Sequence, residues 1–194
     1  MTNTTGSPGT PWNVPNLLTS IRLALAIAVI GLIHCHWFMA ALVTFVIAAG
    51  TDWMDGYWAR KYGQVTKLGR IFDPFVDKII ICGTFIALVA IPNSGIVAWM
   101  AVVVVGRELL VTSLRGIIEG AGGDFSATCW GKWKMVFQCL AVVMSLAYLM
   151  QGETSSWPEW LRTASIWLAV LVTVYSGFDY TLAAARVLRA EGVQ

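Results

Sequence analysis

Long apolar runs follow one another along nearly the whole chain, at 23–34, 37–58, 72–91, 96–118, 130–150 and 160–187, with short connections between them. Such runs have the character of helices that cross a bilayer. Backbone in lipid must satisfy its own hydrogen bonds, which leaves a chain of this kind little choice but a helical bundle. Composition agrees: 57% of the 194 residues are hydrophobic and 12% charged, with a mean hydropathy of +0.69, too apolar for an ordinary soluble domain. The reading is an all-α integral membrane protein with six transmembrane helices. Residues 1–15, uncharged and rich in Thr, Gly and Pro, read as a flexible or interfacial leader without the basic start of a secretory signal. Residues 16–190 read as one six-helix domain, entered through a partly polar turn at 16–22.

Charge sets the expected orientation. Arg22, Arg60, Lys61, Lys67, Arg70, Arg115, Lys132, Lys134, Arg186 and Arg189 lie at one end of the runs, whereas the opposite connections hold His34, His36, Glu153, Glu159 and Arg162. The Lys/Arg excess marks the cytoplasmic side, so both termini are expected there. Trp12, Trp37, Trp130, Trp157 and Trp160 fall near run ends, as interfacial anchors do. A net charge of +2 with no dense basic tract gives no footing for nucleic acid. Cys35, Cys82, Cys129 and Cys139 are scattered and form no CxxC pair, which suits packing rather than zinc or a disulfide framework.

Against this background, four of the 11 acidic residues crowd into 52–77: Asp52, Asp55, Asp73 and Asp77. On a helix, Asp52, Asp55, Gly56, Ala59 and Arg60 share an arc of about 140°. Asp73 and Asp77 are four apart and stack on one stripe, with Gly69 four earlier. The connection between the two runs, about ten residues by this reading, makes their helices near neighbours. Four carboxylates brought together need a counterion, and oxygen-only ligands suit a hard cation such as Mg²⁺; carboxylates on facing helices of a bundle can build a two-metal site. Small residues beside them leave room for a bulky group, and Arg60 suits a phosphate. That combination points to metal-assisted phosphoryl chemistry at the inner membrane surface. Ion coupling in a transporter and simple interfacial capping are the other uses of such a cluster.

The same residues form the pattern Asp-x2-Asp-Gly-x2-Ala-Arg-x8-Gly-x3-Asp-x3-Asp without departure. It resembles the signature of the CDP-alcohol phosphotransferases, integral membrane enzymes of phospholipid synthesis. The resemblance implies a six-helix membrane fold, a homodimer, and two divalent cations, Mg²⁺ or Mn²⁺, held by Asp52, Asp55, Asp73 and Asp77. It implies Asp77 as general base. Asp55, Gly56, Ala59, Arg60, Gly69 and Asp73 would surround the cytidine diphosphate part of the donor, with Arg60 on the diphosphate.

A second set of residues resembles the phosphatidylglycerophosphate synthase branch. It comprises Pro15-Asn16-Leu-Leu-Thr19-x-x-Arg22, Gly106-Arg107-Glu108, Ser113-Leu114-Arg115, and Gly131-Lys132-x-Lys134 with Gln138. Gly106 and Met135 stand where that branch is expected to have Ala and Thr. This implies CDP-diacylglycerol as donor and sn-glycerol 3-phosphate as acceptor, in a bacterial inner membrane with the site facing the cytoplasm. The acceptor is a dianion, and Arg107, Arg115, Lys132 and Lys134 would supply its cations, with Glu108 orienting Arg115 from one helix face. Fixing topology or meeting lipid headgroups is the other use of each cation. Asn16 and Thr19 suit donor phosphates or a helix cap. Asp179 is read as bundle packing, and His34 and His36 as interfacial residues.

Overall fold

The computed structural model describes residues 14–62, 67–120, 129–151 and 159–190. For 14–19, 52–62, 67–74, 77, 119, 129, 130, 132 and 188–190 the description is of backbone alone. Six helices make up the described chain: α1 Val14–His34, α2 Phe38–Tyr62, α3 Lys67–Val89, α4 Ala98–Gly120, α5 Cys129–Gln151 and α6 Glu159–Ala190. The expected leader, apart from Val14 and Pro15, lies outside the described residues.

Each helix buries a stripe at i, i+3/i+4, i+7 spacing, as packing on one face requires. These are Ala26, Val29 and Ile33 on α1; Ala41, Phe45 and Ala48 on α2; Ile81, Phe85 and Leu88 on α3; Met100 and Val104 on α4; Val142 and Leu146 on α5; and Ile166, Ala169 and Val170 on α6. The outside is apolar too. Ile27, Val43, Ile47, Ile86, Val102, Leu171, Val174 and Phe178 are exposed. A contiguous apolar exterior over an apolar core suits lipid rather than water. Among the described residues two helices are long and apolar enough to cross a bilayer, in the stretches Trp133–Gln151 and Glu159–Val187. Ser20–His34, Phe38–Thr51 and Lys78–Val89 are shorter apolar stretches.

The helices pack in a closed circuit: α1 on α3, α3 on α4, α4 on α6, α6 on α5, α5 on α2, and α2 back on α1. A smaller contact of α3 with α5 crosses it. Two expectations need correction. The polar turn at 16–22 is helical and continuous with α1, because nothing in it breaks the helix. The connection of about ten residues shrinks to 63–66, because α2 and α3 each run several residues past the apolar boundary. α1 lies against both α2 and α3.

The breaker at 92–95 behaves as its composition predicts. Asn93 and Gly95 take positive φ, 62° and 80°, values open to Gly and tolerated by Asn. The backbone of Ile96 donates to the hydroxyl of buried Ser94 at 3.3 Å. From α6, Arg162 clasps this turn. It donates to the Asn93 carbonyl and to Glu159 at 2.8 Å, and lies 4.0 Å from the centroid of the Tyr148 ring. His34 and His36 are exposed in the α1–α2 connection at the same end of the bundle, as expected. Trp37 and Trp160 are exposed beside helix ends there, which fits interfacial anchoring.

Candidate functional site

The aspartate motif occupies the last turns of α2 and the first turns of α3. Both helices run unbroken through it, so the spacings of Asp52 to Asp55 and Asp73 to Asp77 each keep to one helix face. The short connection at 63–66 brings the two halves to the same end of the bundle. The side chains of Asp52, Asp55, Gly56, Ala59, Arg60, Gly69, Asp73 and Asp77 lie outside the described residues, as do those of Asn16, Thr19 and Lys132. Among the described residues no group of His, Cys, Asp and Glu is arranged to hold a metal. The donor set on α2 and α3 is made of carboxylates alone, and that chemistry fits a hard divalent cation.

Towards this end of the bundle the buried stripes change character. Along α4, Val104 gives way to Arg107 and Glu108; along α5, Ala141 gives way to Gln138; along α6, Ala169 leads to Thr173, Ser176 and Tyr180. Buried polar groups need partners, and most of these atoms have them, the Gln138 Oε1 being the exception. Arg107 donates from Nε and Nη2 to the Ser176 hydroxyl, at 3.0 and 2.6 Å, and from Nη1 to Glu108 Oε1 at 3.3 Å. Its guanidinium carbon lies 5.2 Å from the centroid of the Tyr180 ring. Lys134 of α5 forms an ion pair with the same Glu108 oxygen. Gln138 donates to Thr173 at 2.8 Å.

Lys78, one residue past the motif, donates to the Thr112 hydroxyl on α4. Thr112 in turn donates to the Glu108 carbonyl at 2.6 Å. Arg115 is half-buried further along α4, and its buried Nε has no hydrogen-bond partner. The structure therefore brings Arg107 and Lys134 together and puts Arg115 on the same helix as Arg107. The expected pairing of Glu108 with Arg115 does not form. Glu108 turns instead to its neighbour Arg107 and to Lys134 of α5, because Arg115 lies seven residues, two helical turns, along α4. Among these described side chains, Lys78, Arg107, Arg115 and Lys134 stand beside one carboxylate, that of Glu108, which pairs with Arg107 and Lys134. That surplus of positive charge in a low-dielectric interior favours an anion.

Close packing supports the arrangement. A Cβ at Gly131 would meet the Tyr180 hydroxyl at 2.9 Å, and one at Gly177 would meet Arg107 Cγ at 3.2 Å. Sequence reasoning missed Lys78, Ser176 and Tyr180. Lys78 was the recoverable one, a cation in an apolar run directly after the motif. Nothing about Ser176 or Tyr180 distinguishes them within a long apolar helix. The acid that did stand out there, Asp179, is half-exposed.

Comparison with known proteins bears on the same residues. A family model described as CDP-alcohol phosphatidyltransferase matches residues 12–175, spanning both the motif and the cationic network. The chain is 35% identical over 184 residues to the CDP-diacylglycerol–glycerol-3-phosphate 3-phosphatidyltransferase of Bacillus subtilis, covering 87% of this chain and 93% of that protein. It is 32% identical to the Pseudomonas fluorescens protein of that name, over 93% of this chain and 94% of the relative. For the Escherichia coli protein of that name the identity is 33%, over 90% and 96%. With an unbroken aspartate motif and a match running from α1 into α6, the chain belongs to the CDP-alcohol phosphatidyltransferase family of enzymes.

Proposed function

We propose that this chain transfers the phosphatidyl group of CDP-diacylglycerol to sn-glycerol 3-phosphate, giving phosphatidylglycerol phosphate and CMP. The observation that carries the reading is the 35% identity, over 87% of the chain, to a relative named for that reaction. The buried cationic network supports it, since a soluble dianionic acceptor needs such a pocket.

The C1 hydroxyl of glycerol 3-phosphate attacks the β-phosphorus of the donor. A P–O bond forms to the acceptor, the P–O bond to CMP breaks, and the hydroxyl proton passes to the Asp77 carboxylate. Arg60 meets the donor diphosphate, while Asp55, Gly56, Ala59, Gly69, Asp73, Asn16 and Thr19 surround the donor. Arg107, Arg115, Lys132 and Lys134, joined by Lys78, hold the acceptor phosphate and orient its hydroxyl. Asp52, Asp55, Asp73 and Asp77 would hold two Mg²⁺ or Mn²⁺ ions. Bound there, the metal supplies neutralisation of the diphosphate and of the charge that develops on the leaving CMP.

The reading extends to an integral membrane protein of six transmembrane helices, homodimeric, in the bacterial inner membrane. Both termini and the site face the cytoplasm. The apolar exterior and the gathering of Lys and Arg at the motif end support this. Residues 1–15 serve as the leader and 16–190 as the membrane domain.

Purified protein supplied with CDP-diacylglycerol and divalent cation should release CMP with glycerol 3-phosphate and not with serine, inositol phosphate or a phosphatidyl lipid as acceptor. Release with one of those instead would overturn the acceptor. Substrate flux into proteoliposomes without CMP would overturn the reaction. Labelling of single cysteines placed at 2 and 192 in sealed vesicles tests the orientation.

A further inference from the structure

The cations proposed for the acceptor come from α3, α4 and α5, yet most of what holds Arg107 comes from α6. Ser176 accepts two N–H groups of one guanidinium, at 3.0 and 2.6 Å, and the Glu108 carboxylate takes a third. A planar guanidinium held at both Nε and Nη2 by one oxygen loses its freedom to rotate about its stem. The ring of Tyr180, four residues on, lies near it as a cation–π partner. Gly177 leaves the space through which the aliphatic stem of Arg107 passes. Below these, Thr173 accepts from Gln138 and ties the same face of α6 to α5.

Ser176, Gly177 and Tyr180 are all buried, so water does not compete for the guanidinium edge that Ser176 takes. Arginine carries five N–H groups, and with three engaged by Ser176 and Glu108 those that remain are fixed in direction. A cation so held costs little further ordering when an anion binds.

We propose that Ser176 is a positioning residue for the acceptor: it fixes the Arg107 guanidinium so that its remaining N–H groups are presented to the phosphate of glycerol 3-phosphate. The inference rests on the reading of Arg107 as an acceptor-phosphate residue and assigns α6 its part in that site. The hydroxyl of Ser176 touches neither substrate; it acts through Arg107.

The test uses the full chain in lipid nanodiscs, with CMP release followed as each substrate is varied in turn. S176A should raise KM for glycerol 3-phosphate about tenfold, as loss of alignment in a charged contact does. KM for CDP-diacylglycerol should stay within about twofold, because that pocket is untouched. S176T keeps a hydroxyl and should recover most of the loss. Inorganic phosphate, competing with glycerol 3-phosphate, should weaken as an inhibitor in step with KM. Parallel change in both KM values, no change in either, or S176T no better than S176A would overturn the proposal and leave Ser176 a packing residue. R107A separates the two layers. If it leaves KM for glycerol 3-phosphate unchanged, the acceptor role of Arg107 falls and the proposal with it. If it raises that KM while S176A does not, only the positioning role falls.

Discussion

Glu108 and Lys134 form an ion pair between helices that are not neighbours in the packing circuit, α4 and α5. Their side chains are 8% and 11% exposed, so the pair spans the interior of the bundle. Arg107 joins it from the residue before Glu108.

Breaking this pair from one side should cost more than removing it whole. Lys134→Met leaves the carboxylate buried with Arg107 as its remaining ion-pair partner, and loss of one member of a buried pair costs about 3 kcal/mol. The double variant Lys134→Met/Glu108→Gln should regain a good part of that loss. Denaturant unfolding in detergent micelles, read as a double-mutant cycle, gives both numbers. A double variant less stable than the single one would contradict the account.

The clasp at the opposite end should matter for stability and not for catalysis. Arg162 is buried against the Tyr148 ring and bonded to Asn93 and Glu159, and its removal leaves the 92–95 turn without its main tie. Arg162→Ala should lower stability by about 2 kcal/mol, from lost charged hydrogen bonds and the cation–π contact. KM for both substrates should hold at wild-type values. Thermal unfolding and steady-state kinetics on the same preparation check the pair of outcomes.

Tyr180 and Gly131 should be coupled through space. Gly131→Ala pushes a methyl group into the Tyr180 hydroxyl, and an overpacked buried site costs about 1–3 kcal/mol. Tyr180→Phe removes the oxygen in the way, so the double variant Gly131→Ala/Tyr180→Phe should be more stable than Gly131→Ala alone. Unfolding midpoints decide it.

The aspartates should fail together. Chelation of divalent cation should abolish CMP release and added Mg²⁺ or Mn²⁺ restore it. Asp73→Asn and Asp77→Asn should each lower kcat by about a thousandfold or more, the scale of losing a charge ligand or a general base. Activity unchanged in either variant would remove that residue from the site.

How much of this was legible beforehand follows from the physics of each element. The helices announced themselves through uninterrupted apolar runs, and the 92–95 break through Pro, Asn and Gly. Helix ends were misplaced where charge begins: α2 and α3 continue into their polar turns because helical hydrogen bonds do not depend on side-chain hydropathy. The family motif was readable since its spacing is local to two helices. Partners across the bundle were not. Arg107 with Ser176, 69 residues apart, and Lys78 with Thr112, 34 apart, depend on helix order in the circuit, which no local period encodes. The Glu108–Arg115 expectation failed for that reason, as the wheel sees only its own helix.

The place of α1 carries a last consequence. α1 packs on both α2 and α3, the two helices that carry the motif, while contributing none of the four aspartates. Ala26, Val29 and Ile33 form its fully buried stripe. Enlarging Ala26 would overpack the core that α1 shares with its neighbours, and would reach the motif only through the helices that carry it.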